Sequence, residues 1–318
     1  MDNEIKLKLS TQQLAQIAQH HFGRELAHSR ELTDGWANTA YELTLKDGIR
    51  SVIKVAPTAV GALMRYEQDM MNTEVEVMRL VSRDHRLPVP EVYAYDQSRL
   101  LVPTDYFVMQ RLEGEPYNKV KESFTQEERE QIEFQLGQYN ACLNELMGER
   151  FGYYPLNESF ASWPDAFWSM LQGVLDDATD SGVALPAERY VIEQEVKDRL
   201  PHLQAVTRPH LLHWDLWDGN IFVKEQQICG IIDFERAMWG DPLMEHYFSH
   251  FNLSEAFLRG YGRGALTAEE RIRRGLYDLY LDLIFVVECA YRKYSDQTHL
   301  KWARDNATEG WERFLKQR

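Results

Sequence analysis

The sequence has few cysteines, no long apolar run and no excess of basic residues. Its three cysteines in 318 residues lie far apart and form no CxxC pair, which excludes a disulfide framework and a cysteine-ligated zinc site. The most apolar stretch, residues 276–290, contains three acidic residues and is too short to span a membrane. The polar N-terminal segment lacks the apolar core of a signal peptide. We therefore expect a soluble protein of the cytoplasm.

Basic residues are in the minority. Lysine and arginine number 35 against 50 aspartates and glutamates, which gives a formal net charge of −15. Such a surface repels nucleic-acid phosphates and anionic lipids, so we expect neither nucleic acid nor a membrane as a partner. Apolar residues at 44% and charged residues at 27% are typical of a globular protein, and the length suits about two lobes. Nothing in the composition indicates an oligomeric state.

The first third of the chain has the pattern of a small sheet with one long helix. Residues 11–22 read as a short helix. Apolar and polar residues alternate on both sides of the turn at residues 46–48, which predicts a β-hairpin. Apolar residues recur every three or four positions over residues 64–82, which predicts a long helix. Further strands are expected over residues 91–97 and 105–112.

Helical patterns dominate from Thr125 onward. Thr125 and Glu128 form a capping box, which predicts a helix that runs to about Met147. The rest of the chain reads as mainly helical, apart from loops and short strands at residues 209–242. We therefore predict a two-lobed α+β protein, with a small antiparallel sheet lobe over residues 1–110 and a larger helical lobe over residues 111–318.

Polar side chains at fixed spacing mark the segment at residues 209–242. Asp215 precedes Asn220 by five positions, and Asp233 ends an apolar strand eighteen positions after Asp215. A phosphoryl-transfer site needs one carboxylate that faces the acceptor hydroxyl, and an amide and a second carboxylate that hold magnesium. The spacing therefore favours phosphoryl transfer.

This segment resembles a known family. The run His213-Trp-Asp215-Leu-Trp-Asp-Gly-Asn220, followed by Ile-Ile-Asp233-Phe-Glu and Trp-Gly-Asp241-Pro, is similar to that of the aminoglycoside phosphotransferases. These are small-molecule kinases of the protein-kinase-like fold. Because the motifs stand in the family's order, the resemblance is more specific than His-x-Asp alone.

The resemblance extends into the first third of the chain. Lys54 in Val-Ile-Lys-Val is similar to the family's phosphate-contacting lysine, and Glu74 is similar to the helix glutamate that pairs with it. The run Tyr-Phe-Val-Met-Gln-Arg-Leu-Glu-Gly resembles the hinge between the lobes. These motifs in order thus imply a nucleotide-binding N-terminal lobe and a C-terminal lobe that carries the catalytic loop and the acceptor pocket.

The resemblance also implies a role for each motif residue. ATP with Mg²⁺ would bind between the lobes, and the terminal phosphate would pass to a hydroxyl of a small acceptor. Asp215 would be the catalytic residue that orients this hydroxyl, while Asn220 and Asp233 would hold magnesium. Lys54, fixed by Glu74, would contact the ATP phosphates.

Other residues are implied in nucleotide binding. Met109 would line the adenine pocket, and the backbones of Gln110 and Leu112 would contact the adenine edge. The turn at residues 33–39 would cover the phosphates with its backbone amides, and this turn includes Asn38 and Thr39.

Some positions leave alternatives open or suit a structural role. Glu76 and Glu67 compete with Glu74, which shares the inward helix face of Met71 and Met78. In the loop motifs, a structural role is expected for His213, Trp214, Trp217, Asp218 and Asp241. Asn144 stands where many relatives have histidine.

The acceptor is expected to be small and cationic. Only eight positions separate Asp233 from Asp241, which leaves no room for a long segment that would hold a peptide. The net charge favours cations, and residues 158–180 contain acids but neither lysine nor arginine. The candidate pocket acids are Glu158, Asp165, Asp176, Asp177, Asp180, Glu245, Asp282 and Glu288.

These arguments leave several functions open. An aminoglycoside-like acceptor ranks ahead of choline, an amino sugar or a fructosamine. Trp163 and Trp168 would suit a cation–π box for a quaternary amine. A non-catalytic nucleotide-binding regulator is the rival from another class. Such a protein usually loses one of the four motif residues, and all four are present here: Lys54, Asp215, Asn220 and Asp233.

Overall fold

A computed structural model describes residues 6–33, 38–58, 63–154 and 158–317. The chain forms two compact units. The first unit comprises Met1–Gly61, Met70–Val120 and Gly219–Glu235, and the second comprises Ala62–Asp69, Lys121–Asp218 and Arg236–Arg318. Within the described ranges, no helix has the length and apolar character needed to cross a bilayer.

The helices and strands follow in chain order. Up to residue 120 they are α1 Thr11–Phe22, β1 Leu26–Leu32, β2 Thr39–Leu45, β3 Arg50–Val55, α2 Met70–Val81, β4 Val92–Asp96, β5 Tyr106–Gln110, β6 Glu115–Pro116 and α3 Tyr117–Val120. After residue 120 they are α4 Gln126–Asn144, β7 Gly152–Tyr153, α5 Trp163–Ser181, α6 Arg189–Lys197, β8 His210–Leu212, β9 Ile221–Lys224, β10 Gln227–Ile231, β11 Met238–Gly240, α7 Glu255–Tyr261, α8 Ala268–Tyr291 and α9 Gln297–Lys316.

The first unit is built on an antiparallel sheet in the order β1-β2-β3-β5-β4. Helix α1 begins at a capping box between Ser10 and Gln13 and ends at Gly23, whose φ of 61° lies in the left-handed region. Its buried face packs on the sheet in a core that includes Ile17 and Ile53. A second small sheet, β10-β9-β6, completes this unit.

The second unit is mainly helical. Helix α4 packs on α7, and α8 packs on both α5 and α9. The expected capping box of Thr125 and Glu128 is present at the start of α4, and Thr267 and Glu270 form another at the start of α8. A short antiparallel sheet in the order β7-β11-β8 lies beside these helices. The expected α+β arrangement of a sheet-rich and a helix-rich part is therefore present.

The predicted helix over residues 64–82 is wrong in its first turn. Arg65–Glu67 form a short 3-10 turn, and the α-helix begins only at Met70. Asp69 adopts a φ of 56°, a left-handed conformation that an α-helix cannot continue through. Strand β1 was not predicted, because most of its residues are polar and do not alternate with apolar ones.

Helices α4 and α7 cross through two glycines. A Cβ atom on Gly137 of α4 would overlap the carbonyl oxygen of Phe257, and one on Gly260 of α7 would overlap that of Phe134. Because backbone cannot move as a side-chain tip does, the close approach of these helices requires glycine at both positions.

The substitution Gly137→Ala should therefore destabilise the protein. Overpacking against backbone should lower the free energy of unfolding by about 1–3 kcal/mol. Gly173→Ala is the matched control, since Gly173 lies within α5 and a Cβ there meets nothing within 4 Å. That change should raise stability by about 0.5–1 kcal/mol, because alanine is the better helix former. Urea denaturation measures both, and equal stability of the two variants would contradict the proposed contact.

Candidate active site

Lys54 lies between two carboxylates in the first unit. Its ammonium Nζ donates to Glu74 Oε1 at 2.6 Å and to Asp233 Oδ1 at 2.5 Å. The side chains of Lys54 and Glu74 are 10% and 0% exposed, so this is a buried ion pair. Asp233 is 31% exposed and faces solvent more than its partners do. The group therefore places one fixed positive charge beside a partly open carboxylate.

The elements that carry these residues explain how they meet. Lys54 lies in β3, at the centre of the sheet, opposite Ala40 on one side and Phe107 on the other. Glu74 lies on the buried face of α2. The alternatives at Glu76 and Glu67 are engaged elsewhere, since Glu76 pairs with Arg79 and the buried Glu67 lies in the second unit. Glu74 is thus the glutamate that pairs with Lys54.

Burial and neighbouring charges shift the pKa values of Lys54 and Glu74 in opposite directions. Burial lowers the pKa of Lys54, but Asp233, Glu74 and Glu235 together raise it above its ordinary value. Burial raises the pKa of Glu74, and the Lys54 ammonium only partly offsets this rise. The lysine therefore stays charged across the physiological range, which suits contact with phosphate.

Oxygen atoms that could bind a metal ion lie close together at the end of the β9–β10 hairpin. The backbone N–H of Ile232 donates to the carbonyl of Asn220 at 3.0 Å, which holds Asn220 next to Asp233 in the fold. Carboxylate oxygens of Glu74, Asp233 and Glu235 lie within 4.8 Å of one another. Carboxylate and amide oxygens are the ligands that Mg²⁺ prefers, so the residues present fit that ion.

Asp233 has an unusual backbone. Its φ of 70° is in the left-handed region, which a non-glycine residue adopts at an energetic cost. The hydrogen bond from Lys54 and the hairpin pairing of Ile231 with Ile221 hold it there. The carboxylate is thus fixed in place by contacts rather than by local preference.

The residues implied in nucleotide binding occupy different environments. Asn38 donates through Nδ2 to Glu235 at 3.2 Å, and the buried Thr39 begins β2. Met109 is buried in β5. The backbone N–H of Gln110 donates to the carbonyl of Glu91 at 2.8 Å, so Gln110 could offer a base only its carbonyl oxygen.

Leu112 and the covering turn complete this set. The Leu112 side chain packs so closely over Gly230 that a Cβ there would overlap it. Of the turn expected over the phosphates, residues 34–37 lie outside the described residues. The roles of these positions in nucleotide binding stay predictions.

In the second unit, the segment after β8 carries Asp215. The backbone N–H of Asp215 donates to Nδ1 of the fully buried His213 at 3.3 Å. Trp214 has a φ of 60° and its ring stacks on Tyr280 at 5.7 Å between centroids. His213 and Trp214 therefore hold the backbone that presents Asp215, in agreement with the structural role expected for them.

Glu245 is the residue that holds this segment. Its Oε1 accepts from the backbone N–H of His213 at 2.8 Å, and its Oε2 accepts from that of Trp214 at 3.0 Å. Glu245 is fully buried. Asn144 donates to the carbonyl of Leu211 at 2.7 Å and lies 3.4 Å from Glu245 Oε1. The asparagine found in place of histidine thus braces the same loop.

Most of the candidate pocket acids are engaged inside the second unit. Glu245 holds the loop, Asp282 accepts from Asn306 at 2.7 Å, and Glu288 accepts from Arg236 at 2.9 Å. Asp177 pairs with Arg65, and Asp176 pairs with Arg189 at 2.7 Å. The expectation of a free acidic pocket here is not supported for these five, because their charges are balanced by neighbouring donors.

Sequence reasoning missed two residues at the site. Glu245 was expected in an acceptor pocket. In the sequence, the signal for a structural role is its place among apolar residues, four positions after Asp241. Arg236 was not singled out, although it is a lone cation directly after the Asp-Phe-Glu motif. Its surroundings come from distant segments, so no local pattern reveals them.

Comparisons with known proteins identify the family of this chain. The sheet-rich and helix-rich parts, with the paired lysine and glutamate, are the arrangement expected for a protein-kinase-like phosphotransferase. The family model described as the phosphotransferase enzyme family, APH, matches residues 28–276. The chain belongs to this family, which confirms the predicted family and enzyme class.

Solved structures show the same fold. A protein assigned as a fructosamine-3-kinase from Thermobifida fusca is 22% identical, with a TM-score of 0.64 over 94% of this chain and 100% of its own. A thermostable mutant of aminoglycoside phosphotransferase APH(4)-Ia, in ternary complex with AMP-PNP and hygromycin B, is 17% identical, with a TM-score of 0.64 over 95% of this chain and 98% of its own. The predicted protein-kinase-like fold is confirmed.

Curated relatives match a shorter part. Subtelomeric hrmA-associated cluster proteins from two strains of Aspergillus fumigatus are 33% identical over 109 residues, which is 34% of this chain. The match spans about a fifth of the length of these relatives, 21%.

The substitution Glu245→Gln should loosen the segment that carries Asp215. Glutamine keeps one oxygen acceptor but places an NH₂ group against the second backbone N–H, so one buried donor loses its partner. We expect the free energy of unfolding to fall by about 1–3 kcal/mol. Glu312→Gln on exposed α9 is the control and should change stability little. Thermal unfolding measures both, and equal melting temperatures would argue against the anchoring role.

Proposed function

We propose that this protein is a kinase that transfers the γ-phosphoryl group of ATP to a hydroxyl of a small acceptor. The observation that carries this proposal is the buried Lys54, paired at once with Glu74 and Asp233. A structural lysine needs only one counter-ion, whereas this one keeps a surplus carboxylate next to further oxygen donors. Cys229 and Cys289 are free thiols, which supports a cytoplasmic location.

The first unit would bind the nucleotide. Lys54 would donate to the phosphate oxygens, and Glu74 would keep its side chain extended toward them. Asn38 and Thr39 would lie along the phosphates, while Met109, Gln110 and Leu112 would contact the adenine, as the resemblance implies. The charged lysine would neutralise phosphate charge without a change in its own protonation state.

Asn220 and Asp233 would hold Mg²⁺, which would neutralise phosphate charge when bound. Asp233 already gives one carboxylate oxygen to Lys54. Its partial exposure, 31%, leaves the carboxylate within reach of a bound ion. The asparagine amide adds an uncharged oxygen, so the donor set is oxygen-only.

The second unit would present the acceptor to ATP. Asp215 would accept a hydrogen bond from the acceptor hydroxyl and take its proton as the new O–P bond forms and the bond from the γ-phosphorus to ADP breaks. The buried anchor at Glu245 would keep this carboxylate in a fixed place. Catalysis would therefore rest on positioning and on charge neutralisation.

The acceptor class is a finer part of the proposal. The net charge of −15 supports a cationic compound, and the structural neighbours include an aminoglycoside phosphotransferase bound to hygromycin B and a fructosamine-3-kinase. An aminoglycoside-like acceptor ranks first, with choline, amino sugars and fructosamines as alternatives. Since Asp176 and Asp177 are paired with arginines, the support that charge gives comes from long-range steering.

The first test measures ADP release with hygromycin B, choline, glycated lysine and neutral sugars. Asp215→Asn should lower kcat by about 100-fold or more with the best acceptor, while the affinity for ATP stays within twofold. Asp198→Asn, at an exposed position beyond α6, serves as control. Normal turnover of Asp215→Asn would remove it from the reaction, and a regulator without activity would release no ADP with any acceptor.

The second test concerns magnesium. Asp233→Asn should abolish the magnesium-dependent part of ATP binding, because it removes the negative charge that attracts the ion, and Asn220→Ala should weaken it, because it removes the amide oxygen. Calorimetry of ATP with and without Mg²⁺ measures this difference. Asp47→Asn, in an exposed turn of the same unit, should bind like the parent protein. If Asp233→Asn keeps the full magnesium dependence, the ion lies elsewhere.

A further inference from the structure

Two neighbouring polar groups in the second unit have no hydrogen-bond partner among the described residues. These are Nε of Arg236 and the hydroxyl oxygen of Tyr66. The Arg236 guanidinium lies over the Tyr66 ring, 5.4 Å from its centroid, and the Arg236 side chain is only 9% exposed. A buried N–H and a buried hydroxyl are costly to leave unpaired, so both require an oxygen that the described residues do not supply.

The positive charge of Arg236 is balanced by carboxylates, and this pairing does not use its Nε–H group. Arg236 donates through Nη2 to Glu288 at 2.9 Å, and Arg292 contacts Glu288 at 2.5 Å and Glu67 at 2.6 Å. Two arginines thus face two carboxylates. The network holds the guanidinium in place and leaves its Nε side for another partner.

Aromatic contacts connect this pair to the catalytic segment. The Tyr66 ring contacts Trp214 edge-on at 5.9 Å between centroids and stacks on Tyr153 at 5.9 Å. Trp214 directly precedes Asp215. Burial acts to lower the pKa of Arg236, but Tyr66, Glu288 and Asp215 raise it, so the guanidinium is charged and feels the Asp215 carboxylate.

Around Arg236 and Tyr66, the groups left to bind a ligand are hydrogen-bond donors and not carboxylates. The nearby Asp177 is taken by Arg65 and Tyr291, and Glu245 is taken by the backbone of the catalytic segment. What remains unsatisfied is one cationic N–H and one hydroxyl. Such a pair binds a carboxylate or phosphate oxygen better than an ammonium group.

We propose that Arg236 and Tyr66 bind an anionic group of the acceptor, a carboxylate or a phosphate, on the side of the catalytic segment where Asp215 takes the hydroxyl. This inference rests on the proposed phosphoryl transfer, and among the possible acceptors it favours one with an acidic group over an aminoglycoside-like compound. An acceptor that carries both an amine and a carboxylate, as a glycated amino acid does, satisfies this pair and the long-range charge as well.

A matched set of hexose derivatives tests the charge preference. Gluconate, glucose 6-phosphate, glucose and glucosamine share one hydroxylated carbon skeleton and differ in charge. With ADP release as the readout, at least one of the two anions should exceed glucose about tenfold in kcat/KM, and glucosamine should not exceed glucose. Gluconate against glucose 6-phosphate separates a carboxylate from a phosphate.

Two variants test whether Tyr66 and Arg236 cause this preference for an anionic acceptor. Tyr66→Phe keeps the ring and removes only the unpaired hydroxyl, so it should fold, and it should lower kcat/KM for the preferred anion severalfold without changing that for glucose. Arg236→Lys keeps a positive charge for Glu288 but removes Nε, and should act in the same direction. Arg304→Met, at an exposed position on α9, is the control.

The outcomes separate the two proposals. Equal kcat/KM for the anionic, neutral and cationic sugars, or a higher kcat/KM for glucosamine than for the anions, would overturn the role of Arg236 and Tyr66. The proposed phosphoryl transfer would still stand. A Tyr66→Phe variant with unchanged acceptor preference would do the same. If neither this set nor hygromycin B, choline or glycated lysine yields ADP, the proposed function itself fails, and this inference fails with it.

Discussion

The first unit depends on one buried lysine with two counter-ions. Lys54 comes from the centre of the sheet, Glu74 from α2 and Asp233 from the end of β10, so a single ammonium group joins three separate stretches of chain. Removing one member of a buried ion pair typically costs about 3–5 kcal/mol, because the remaining charge is left uncompensated. This contact helps to hold Glu74 on the buried face of α2 and Asp233 in its left-handed backbone conformation.

The parts of the site that are local in sequence could be predicted. Apolar residues at helical spacing place Met71 and Met78 on the inward face of α2, and Glu74 shares that face while Glu76 does not. Asn220 and Asp233 flank a hairpin whose two strands are visible as apolar runs, so their proximity follows from pairing. The fold class follows from the change between strand-like and helix-like patterns near residue 120.

The parts that depend on distant partners could not be predicted. The start of α2 is set by the left-handed conformation of Asp69, which apolar periodicity does not register. The charge of −15 and the acid-rich segment at 158–180 indicated a free acidic surface. Several of these acids are paired with arginines from other segments of the chain, as Asp177 is with Arg65. The composition gives the number of charged residues, but the fold determines which carboxylates remain available to bind a ligand.

The composition of the first unit has a consequence for synthesis on the ribosome. Its last segment, Gly219–Glu235, follows the whole stretch of Lys121–Asp218, which belongs to the second unit. Asp233 is 179 positions beyond Lys54, so the nascent sheet must wait for much of the other unit to emerge before its lysine gains its second counter-ion. Pairing over such a separation is entropically slow. A ribosome stalled before residue 219 would therefore carry the strands of the five-stranded sheet, while β6 would lack β9 and β10, its partners in the second small sheet.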